Sequence, residues 1–330
     1  MHTPLTHRLR RGSLALFAAL ALAPAAQAQS GGYPSKPIRM IVPLAAGSAA
    51  DVAARVLAQK MSQNLGQTIV IENIVGAAGA IGAAQVAKAA PDGYTIGGFN
   101  DSILTMVPHL NPNTPFKALE DFAPVSIAAN IDFSIAVATT SRFKTAAELV
   151  AAAKAAPGKI TYASGGNGSP QHMAGALFAA HTGIVMDHVP YRGASQAAQD
   201  VAGGQVDVTL QGIATVAALA KGGKLKLIGV MGDSRNAEYP DTPTLKEQGI
   251  NGFDFGTWFA LTAPAATPKD IINRLQREVV KALADPEVKE RYAAVGLRPN
   301  GGTPDAMMRV VREQYARYGK AIRDNNIKAD

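Results

Sequence analysis

Short apolar runs alternate with alanine-rich helical stretches along most of this 330-residue sequence. Alternation of strand and helix patterns predicts parallel βαβ units with right-handed crossovers, and so an α/β fold. Helices are predicted near residues 51–64, 79–89, 145–155, 170–182, 194–203, 214–221, 269–283, 286–294 and 304–324. The predicted strands are Ile38–Val42, Ile69–Glu72, Thr95–Phe99, Val125–Ala129, Ile135–Ala138, Ile160–Ala163, Val206–Gln211, Leu225–Val230 and Thr257–Thr262.

The first residues have the pattern of an export signal. A basic start at Arg8–Arg11 precedes the apolar run Leu14–Ala23, and Ala26-Gln27-Ala28 provides a small–x–small cleavage site. The run is shorter than the ~20 apolar residues of a membrane span. We therefore predict a signal peptide at residues 1–28, cleavage near Ala28 and a periplasmic location, with a retained N-terminal anchor as the alternative.

Composition excludes several classes of function. The chain carries 32 Lys and Arg against 25 Asp and Glu, and part of this excess leaves with the signal segment. No block of basic residues interleaved with aromatics is present, so a nucleic-acid partner is not predicted. The absence of Cys excludes disulfides and lipid attachment through a cysteine.

The first candidate site is the loop between the strand Ile38–Val42 and the helix that follows it. Its small residues leave the backbone uncovered, and the helix start directs free N–H groups and a positive dipole end at the loop. No Lys follows the glycine, so a nucleotide-binding P-loop is not supported. Asp51 is expected to order the helix start. The alternative to an anion site is a turn whose small residues only permit close packing. The candidate ligand-binding residues in this loop are Leu44, Ala46, Gly47 and Ser48.

A second glycine-rich loop follows the predicted strand Ile160–Ala163. Pro170 stands at the first helical position and leaves the next amides free to donate hydrogen bonds. Two helix starts suited to anions predict a ligand held at both ends, although packing turns would also explain them. The candidates in this loop are Ser164, Gly165, Asn167, Gly168, Ser169 and His172.

Polar and aromatic residues at other strand ends complete the predicted site. Asn100 and Asp101 follow the strand Thr95–Phe99, although an Asx turn or helix cap would explain them equally well. Arg192 has the geometry to pair with a carboxylate, but an exposed arginine is usually solvated. Trp258 is expected to form a pocket wall, with a core position as the alternative. Tyr191, Gln211 and Trp258 join the candidate ligand-binding residues.

The sequence lacks recognisable catalytic and metal motifs. It has no cysteine nucleophile, no G-x-S-x-G and no H-E-x-x-H. His172 and His181 are nine residues apart, unlike the i, i+4 spacing of a helical metal pair. We therefore predict no catalytic residue, no metal site and no cofactor.

An ordered series of motifs runs from Tyr33 to the C-terminal region. It comprises Pro43, Ala46-Gly47, Asp51 and Arg55; Glu72-Asn73, Gly76-Ala77, Gly79 and Gly82-Ala83; Ala90-Pro91-Asp92-Gly93-Tyr94-Thr95; Gly165, Gly168-Ser169 and His172; Val189-Pro190-Tyr191-Arg192-Gly193; Gly203-Gly204-Gln205-Val206-Asp207; and Trp258, Ala263-Pro264 and Thr267-Pro268. This series resembles the Bug family, the periplasmic substrate-binding proteins of tripartite tricarboxylate transporters. Ser48 departs from the pattern, because the family often has a second glycine there.

The resemblance implies a two-lobed periplasmic-binding-protein fold, type II-like, each lobe a sheet flanked by helices with a ligand cleft between them. Residues 33–131 plus 257–330 would form lobe 1, and residues 132–256 lobe 2. The loop Leu44–Ser48 would hold a ligand carboxylate through backbone amides and ordered waters, and Ser164–Ser169 would close over it. The implied partners are a small organic carboxylate and the membrane permease subunits, and the protein would be a monomer and not an enzyme.

Two other functions are compatible with the residues. The first is a secreted α/β enzyme on a small anionic substrate, with Asp101 and His172 as acid–base candidates. The second is a ligand sensor that signals to a membrane kinase. The residues do not distinguish among dicarboxylates, tricarboxylates, aromatic carboxylates, amino acids and nicotinate-like acids as the ligand.

Overall fold

The computed structural model describes residues 32–328, so the predicted signal peptide lies outside the described residues. Within them, one long sheet is flanked by helices, which confirms the predicted α/β layers. The sheet is mixed and not wholly parallel, because its central strands pair antiparallel with their neighbours. Its strands are β1 (Ile38–Val42), β2 (Ile69–Asn73), β3 (Thr95–Asn100), β4 (Phe122–Ala138), β5 (Thr161–Ser164), β6 (Asp187–Pro190), β7 (Val208–Gly212), β8 (Leu225–Val230), β9 (Gly256–Pro264) and β10 (Leu297–Pro299).

Capping residues set the starts of several helices. Thr145 and Thr303 each accept the amide N–H three residues ahead, at 3.1 and 3.2 Å. None of the helices in the described chain is both long and apolar enough to cross a bilayer. The helices are α1 (Ala49–Leu65), α2 (Ala80–Ala87), α3 (Asp101–Thr105), α4 (Val107–Leu110), α5 (Ala146–Ala155), α6 (Pro170–Thr182), α7 (Ala194–Ala202), α8 (Ile213–Lys221), α9 (Lys269–Ala284), α10 (Pro286–Ala293) and α11 (Pro304–Asp324), with short 3₁₀ turns at Ala77–Gly79 and Lys246–Gln248.

The sheet has the strand order β2-β1-β3-β9-β4-β7-β5-β6, and β10 and β8 also pair with β4. We call the part from β2 to the start of β4, with β10, the first half-sheet. The second half-sheet comprises the end of β4 with β7, β5, β6 and β8. Strands β2, β1 and β3 run parallel, so the loops that follow them emerge at one edge.

Strand β4 joins the two half-sheets without a break, which corrects the prediction of two separate strands at Val125–Ala129 and Ile135–Ala138. Its central residues stay paired across the junction. Ile131 lies opposite Thr257 of β9, and Phe133 lies opposite Gly212 of β7. The polar residues Asn130 and Asp132 lie within this ladder, opposite Trp258 and Gly256.

Alanine in α1 allows close packing against the sheet and against α9. The buried side of α1 includes Ala53, Ala54, Leu57 and Met61, all fully inaccessible. Burying a side chain such as Leu57 stabilises the fold by about 1.5–3 kcal/mol. The helix ends at Gly66, whose φ of 66° suits a left-handed C-cap. This packing holds the N-terminus of α1 at the edge where the strand-end loops meet.

Candidate functional site

A cavity of about 410 Å³ lies where the two half-sheets meet. Ile131 and Phe133 of β4 contribute apolar surface from both sides of the junction. Loops that follow β1, β2, β3, β5 and β6 surround them. Among the predicted ligand-binding residues, those that line the cavity are Leu44, Ser48, Asn100, Gly165, Asn167, Ser169 and Tyr191.

The glycine amide of the first loop is already hydrogen-bonded within the protein. Gly47 N–H donates to Asp51 Oδ2 at 2.9 Å. The same carboxylate accepts from Arg55 Nε at 2.9 Å and Asn73 Nδ2 at 2.8 Å. Asp51 therefore orders the helix start, as expected. Ala46 and Gly47 do not line the cavity, contrary to prediction, because the turn directs this glycine amide towards Asp51.

Of the next three backbone amides at the start of α1, those of Ala49, Ala50 and Asp51, one is left to donate to a ligand. Ser48 Oγ accepts from Asp51 N–H at 3.3 Å, and Thr215 Oγ1 accepts from Ala49 N–H at 2.8 Å. The amide of Ala50, at the second helical position, has no acceptor within residues 32–328. Ala50 lines the cavity, so its N–H is the donor that this helix start offers to a ligand.

The second loop repeats the same turn. Gly168 N–H donates to His172 Nδ1 at 3.2 Å, and Ser169 Oγ accepts from His172 N–H at 3.3 Å. Gly47 and Gly168 have matching φ values of 76° and 82°. Pro170 lacks an N–H, so the first free donor of α6 is the amide of Gln171, another cavity-lining residue.

Aromatic rings support the second loop from behind. The ring of His172 stacks on that of His188 at 4.5 Å, and His188 stacks on Tyr162 at 4.8 Å. Ser164 Oγ and His188 Nε2 are 2.6 Å apart, at hydrogen-bond distance. Ser164, Gly168 and His172 were predicted to contact ligand, but they lie outside the cavity lining and hold the loop in place.

At the end of β3, Asn100 and Ser102 line the cavity, whereas Asp101 between them does not. Ser102 Oγ donates to Asn100 Oδ1 at 3.1 Å, which leaves the amide nitrogen of Asn100 available to a ligand. Asp101, predicted as a ligand residue, does not line the cavity and is 0% exposed. Burial raises the pKa of its carboxyl well above the usual range, and the Arg317 cation opposes this only in part.

Gln211 acts on the cavity through a neighbour. It does not line the cavity, contrary to prediction, because both ends of its side-chain amide are used. Its Oε1 accepts from Gln171 Nε2 at 2.6 Å, and its Nε2 donates to Ala194 O at 3.2 Å. Gln211 therefore orients Gln171, which does reach the cavity.

Trp258 faces away from this cavity, and the pocket wall that it forms, as predicted, belongs to another cavity. Side chains alternate along β9, and Thr257 takes the cavity position. Trp258 is 3% exposed and donates its indole N–H to Gln314 Oε1 at 2.8 Å. It lines a separate cavity of about 370 Å³, together with the charged residues Asp132, Asp254, Arg298 and Arg317.

Several lining residues were not among the sequence candidates. The segment Val75–Gly79 after β2 contributes small residues, and Ala77 and Ala78 adopt positive φ values of 46° and 53°. Such strained alanines cannot be recognised from sequence, although the motif Gly76-Ala77 with Gly79 marks the segment. Other lining residues outside the sequence candidates include Ala50, Ser102, Ile131, Phe133, Gln171 and Thr257.

The two halves contact each other directly beside the cavity. Ser195 Oγ, at the start of α7, donates to Ala46 O of the first loop at 2.8 Å. Thr215 of α8 accepts the Ala49 amide, as described above. At Gly193 a Cβ atom would lie 2.5 Å from the Ala45 Cβ, so only glycine fits there. Within the described chain, no group of three or more acidic or histidine side chains could hold a metal ion.

Comparison with known proteins gives consistent matches over nearly the whole described chain. A family model described as "Tripartite tricarboxylate transporter family receptor" matches residues 53–327. The solved structure of the periplasmic binding protein BugD is 32% identical, with a TM-score of 0.85, and the match covers 90% of this chain and 99% of that one.

Two similar structures contain small acids. Rpa4515 of R. palustris, solved with adipate, is 28% identical with a TM-score of 0.87, over 90% of this chain and 99% of that one. MatC of Rhodopseudomonas palustris, with bound malate, is 29% identical with a TM-score of 0.83, over 88% of this chain and 100% of that one.

Proposed function

The chain belongs to the tripartite tricarboxylate transporter receptor family of periplasmic solute-binding proteins, and we propose that it captures a small organic carboxylate for delivery to a membrane permease. Family and fold point to a binding protein rather than an enzyme. The acid–base candidates Asp101 and His172 lie outside the cavity lining, which gives the enzyme alternative no support.

The observation that carries this proposal is the pair of matching helix starts at one cavity. Ala50 of α1 and Gln171 of α6 each place an amide at the second helical position, and neither amide has an acceptor among the described residues. Each lies at a positive dipole end, which favours a nearby anion by about 0.3–1 kcal/mol at an exposed site. The ligand carboxylate would accept from these amides, and Asn100 Nδ2 would add a side-chain donor.

The lining between these donors suits a short carbon skeleton. Leu44, Ile131 and Phe133 supply apolar surface, and Thr257 and Ser102 supply neutral polar groups. A small acid would keep its charged end at the amides and its carbon chain over β4. The adipate and malate complexes of the two similar structures support this choice of ligand class.

We further propose that the half-sheets are the cores of two lobes, with residues 33–131 and 257–330 in one and residues 132–256 in the other. The chain would bend where β4 and β9 cross between them, at Asp132 opposite Gly256. Contacts from both lobes to one ligand would favour the closed form, which the permease would then recognise. The protein would be exported with cleavage after Ala28 and would act as a monomer.

Calorimetry and thermal unfolding test the proposed ligand class. Purified protein would be titrated with succinate, malate, adipate, citrate, benzoate and nicotinate, with dimethyl adipate as an uncharged control. A ligand at 100 times its Kd raises the free energy of unfolding by about 2.7 kcal/mol, which is visible as a higher Tm. Binding of at least one acid, and none of the ester, is expected; stabilisation by no acid would contradict the proposal.

Transport itself needs a cellular test. Deletion of the gene should abolish uptake of the acid identified by calorimetry, and deletion of the permease genes should do the same. Uptake that survives loss of the permease would favour the sensing alternative. Mass spectrometry of the exported protein should give the mass of a chain whose first residue is Gln29.

A further inference from the structure

One charged side chain, Arg192, lines the cavity in the part of the chain that the structure describes. All the other lining residues are neutral. Arg192 is exposed at the cavity margin, and no ion pair within residues 32–328 includes it. Its positive charge is therefore not neutralised by an acid of the described chain.

The backbone on either side of Arg192 is held in place. Tyr191 N–H donates to Ser164 O at 3.0 Å, which ties this segment to the second loop. Gly193 packs against Ala45 of the first loop so closely that a Cβ would not fit. The backbone that carries the Arg192 side chain is thus held where the two loops meet.

We propose that Arg192 makes the site selective for acids with two carboxylates. This inference rests on the proposed function. The helix-start amides would hold one carboxylate, and the guanidinium would pair with the second, as its planar fork matches a carboxylate in bidentate geometry. A monocarboxylate of equal length would place a methyl group there and gain nothing from the charge.

Matched pairs of linear acids test the proposal. Calorimetry would compare succinate with butyrate, glutarate with pentanoate and adipate with hexanoate, so that each pair differs only in the second carboxylate. A charge-assisted hydrogen-bonded pair in a partly enclosed site corresponds to a preference of about tenfold or more. We expect that preference in at least one pair for the native protein.

Substitution of Arg192 tests whether this residue causes the dicarboxylate preference. Arg192→Gln should remove most of the dicarboxylate preference and leave monocarboxylate affinity nearly unchanged. Arg192→Lys should retain part of it, because an ammonium keeps the charge without the fork. Arg142→Gln, an exposed arginine outside the cavity lining, is the control and should behave as the native protein does.

The outcomes separate this inference from the proposed function. Lack of a dicarboxylate preference in all three pairs, or its persistence in Arg192→Gln, would overturn the role of Arg192 even if other acids bind. Failure of every acid in both panels to bind would overturn the proposed function and this inference with it. Equal melting temperatures of the native protein and the Gln variant would exclude misfolding as the cause of a lost preference.

Discussion

Asp51 and His172 perform the same task in two separate loops: each accepts a hydrogen bond from the amide of the glycine four residues earlier. The distances are 2.9 Å from Gly47 N to Asp51 Oδ2 and 3.2 Å from Gly168 N to His172 Nδ1. In both loops the residue after the glycine is a serine, Ser48 or Ser169, which caps the start of the helix. The two sides of the cavity thus have the same turn conformation, and they differ in the side chain at the third helical position, Asp51 in α1 and His172 in α6.

Replacing Gly47 by alanine should reduce both stability and acid binding. Its φ of 76° strains an L-residue, and the new Cβ would lie 3.2 Å from Ser195 Oγ. We expect the free energy of unfolding to fall by about 1–2 kcal/mol and acid affinity to fall severalfold. Urea denaturation and calorimetry measure the two effects.

Gly66→Ala is the matched control for that substitution. Gly66 has a similar φ of 66°, but a Cβ there would meet nothing within 4 Å. It should lose comparable stability and keep native affinity. If both variants bind acids as the native protein does, the Gly47 loop does not influence the ligand.

Removing the hydroxyls that cross between the halves should make the cavity open more easily. Ser195→Ala and Thr215→Val each eliminate one hydrogen bond to the first loop or α1, at 2.8 Å in both cases. Each bond contributes about 0.5–1.5 kcal/mol, which here would oppose separation of the halves. Small-angle scattering should show a larger radius of gyration for the double variant.

Thr139→Val is the control for these hydroxyls, because Thr139 Oγ1 bonds to Gly223 O at 2.8 Å away from the cavity. Its scattering should match that of the native protein. Unchanged scattering of the double variant as well would show that these bonds do not hold the halves together.

Truncating His172 should loosen the second loop. His172→Ala loses the acceptor for Gly168 N–H and the stacking on His188, so we expect weaker acid binding with little change in the first loop. His172→Asn keeps an oxygen acceptor and should recover part of the affinity. Calorimetry of both variants checks this; equal binding by His172→Ala would rule out the supporting role.

The buried acid Asp101 should make stability depend on pH. Burial raises its pKa in the folded protein, whereas the unfolded chain titrates near its ordinary value of about 4. Folding therefore takes up a proton between these two values, and the contribution of this carboxyl to stability falls as pH rises through that window.

Asp101→Asn removes this dependence. Relative to the native protein, the variant should gain stability as pH rises above about 4, at up to about 1.4 kcal/mol per pH unit within the window. Urea denaturation at several pH values measures the difference. Asp187→Asn, at an exposed acid in β6, should show no such trend. A constant difference between Asp101→Asn and the native protein would contradict the buried-proton account.

Strand–helix alternation was sufficient to predict the α/β fold and most elements, because long periodic segments bury one face. Short elements escaped prediction. Strand β6 is only four residues long and has no buried residue, so it lacks an apolar pattern. Helix α3 begins at Asp101, where the sequence Asn-Asp-Ser reads equally well as a turn.

The sequence indicated which loops border the cavity better than it indicated which residues line it. Both glycine-rich loops border the cavity, as predicted, but Gly47 and Gly168 donate to side chains of their own loops. Sequence shows that a helix start has free amides; it does not show which side chain returns to satisfy them. The orientation of Trp258 depends on the register of β9 against β4, which no local pattern encodes.

The unbroken strand β4 has a consequence for how these proteins diversify. Because Phe122–Ala138 serves both half-sheets, a boundary drawn at residue 132 cuts a hydrogen-bonded ladder and not a linker. The two halves are therefore not interchangeable modules. A chimera that takes residues 132–256 from a relative would have to keep β4 continuous, with Ile131 opposite Thr257 on one side of the boundary and Phe133 opposite Gly212 on the other. New ligand preferences should therefore arise more readily by changes in the loops than by exchange of halves.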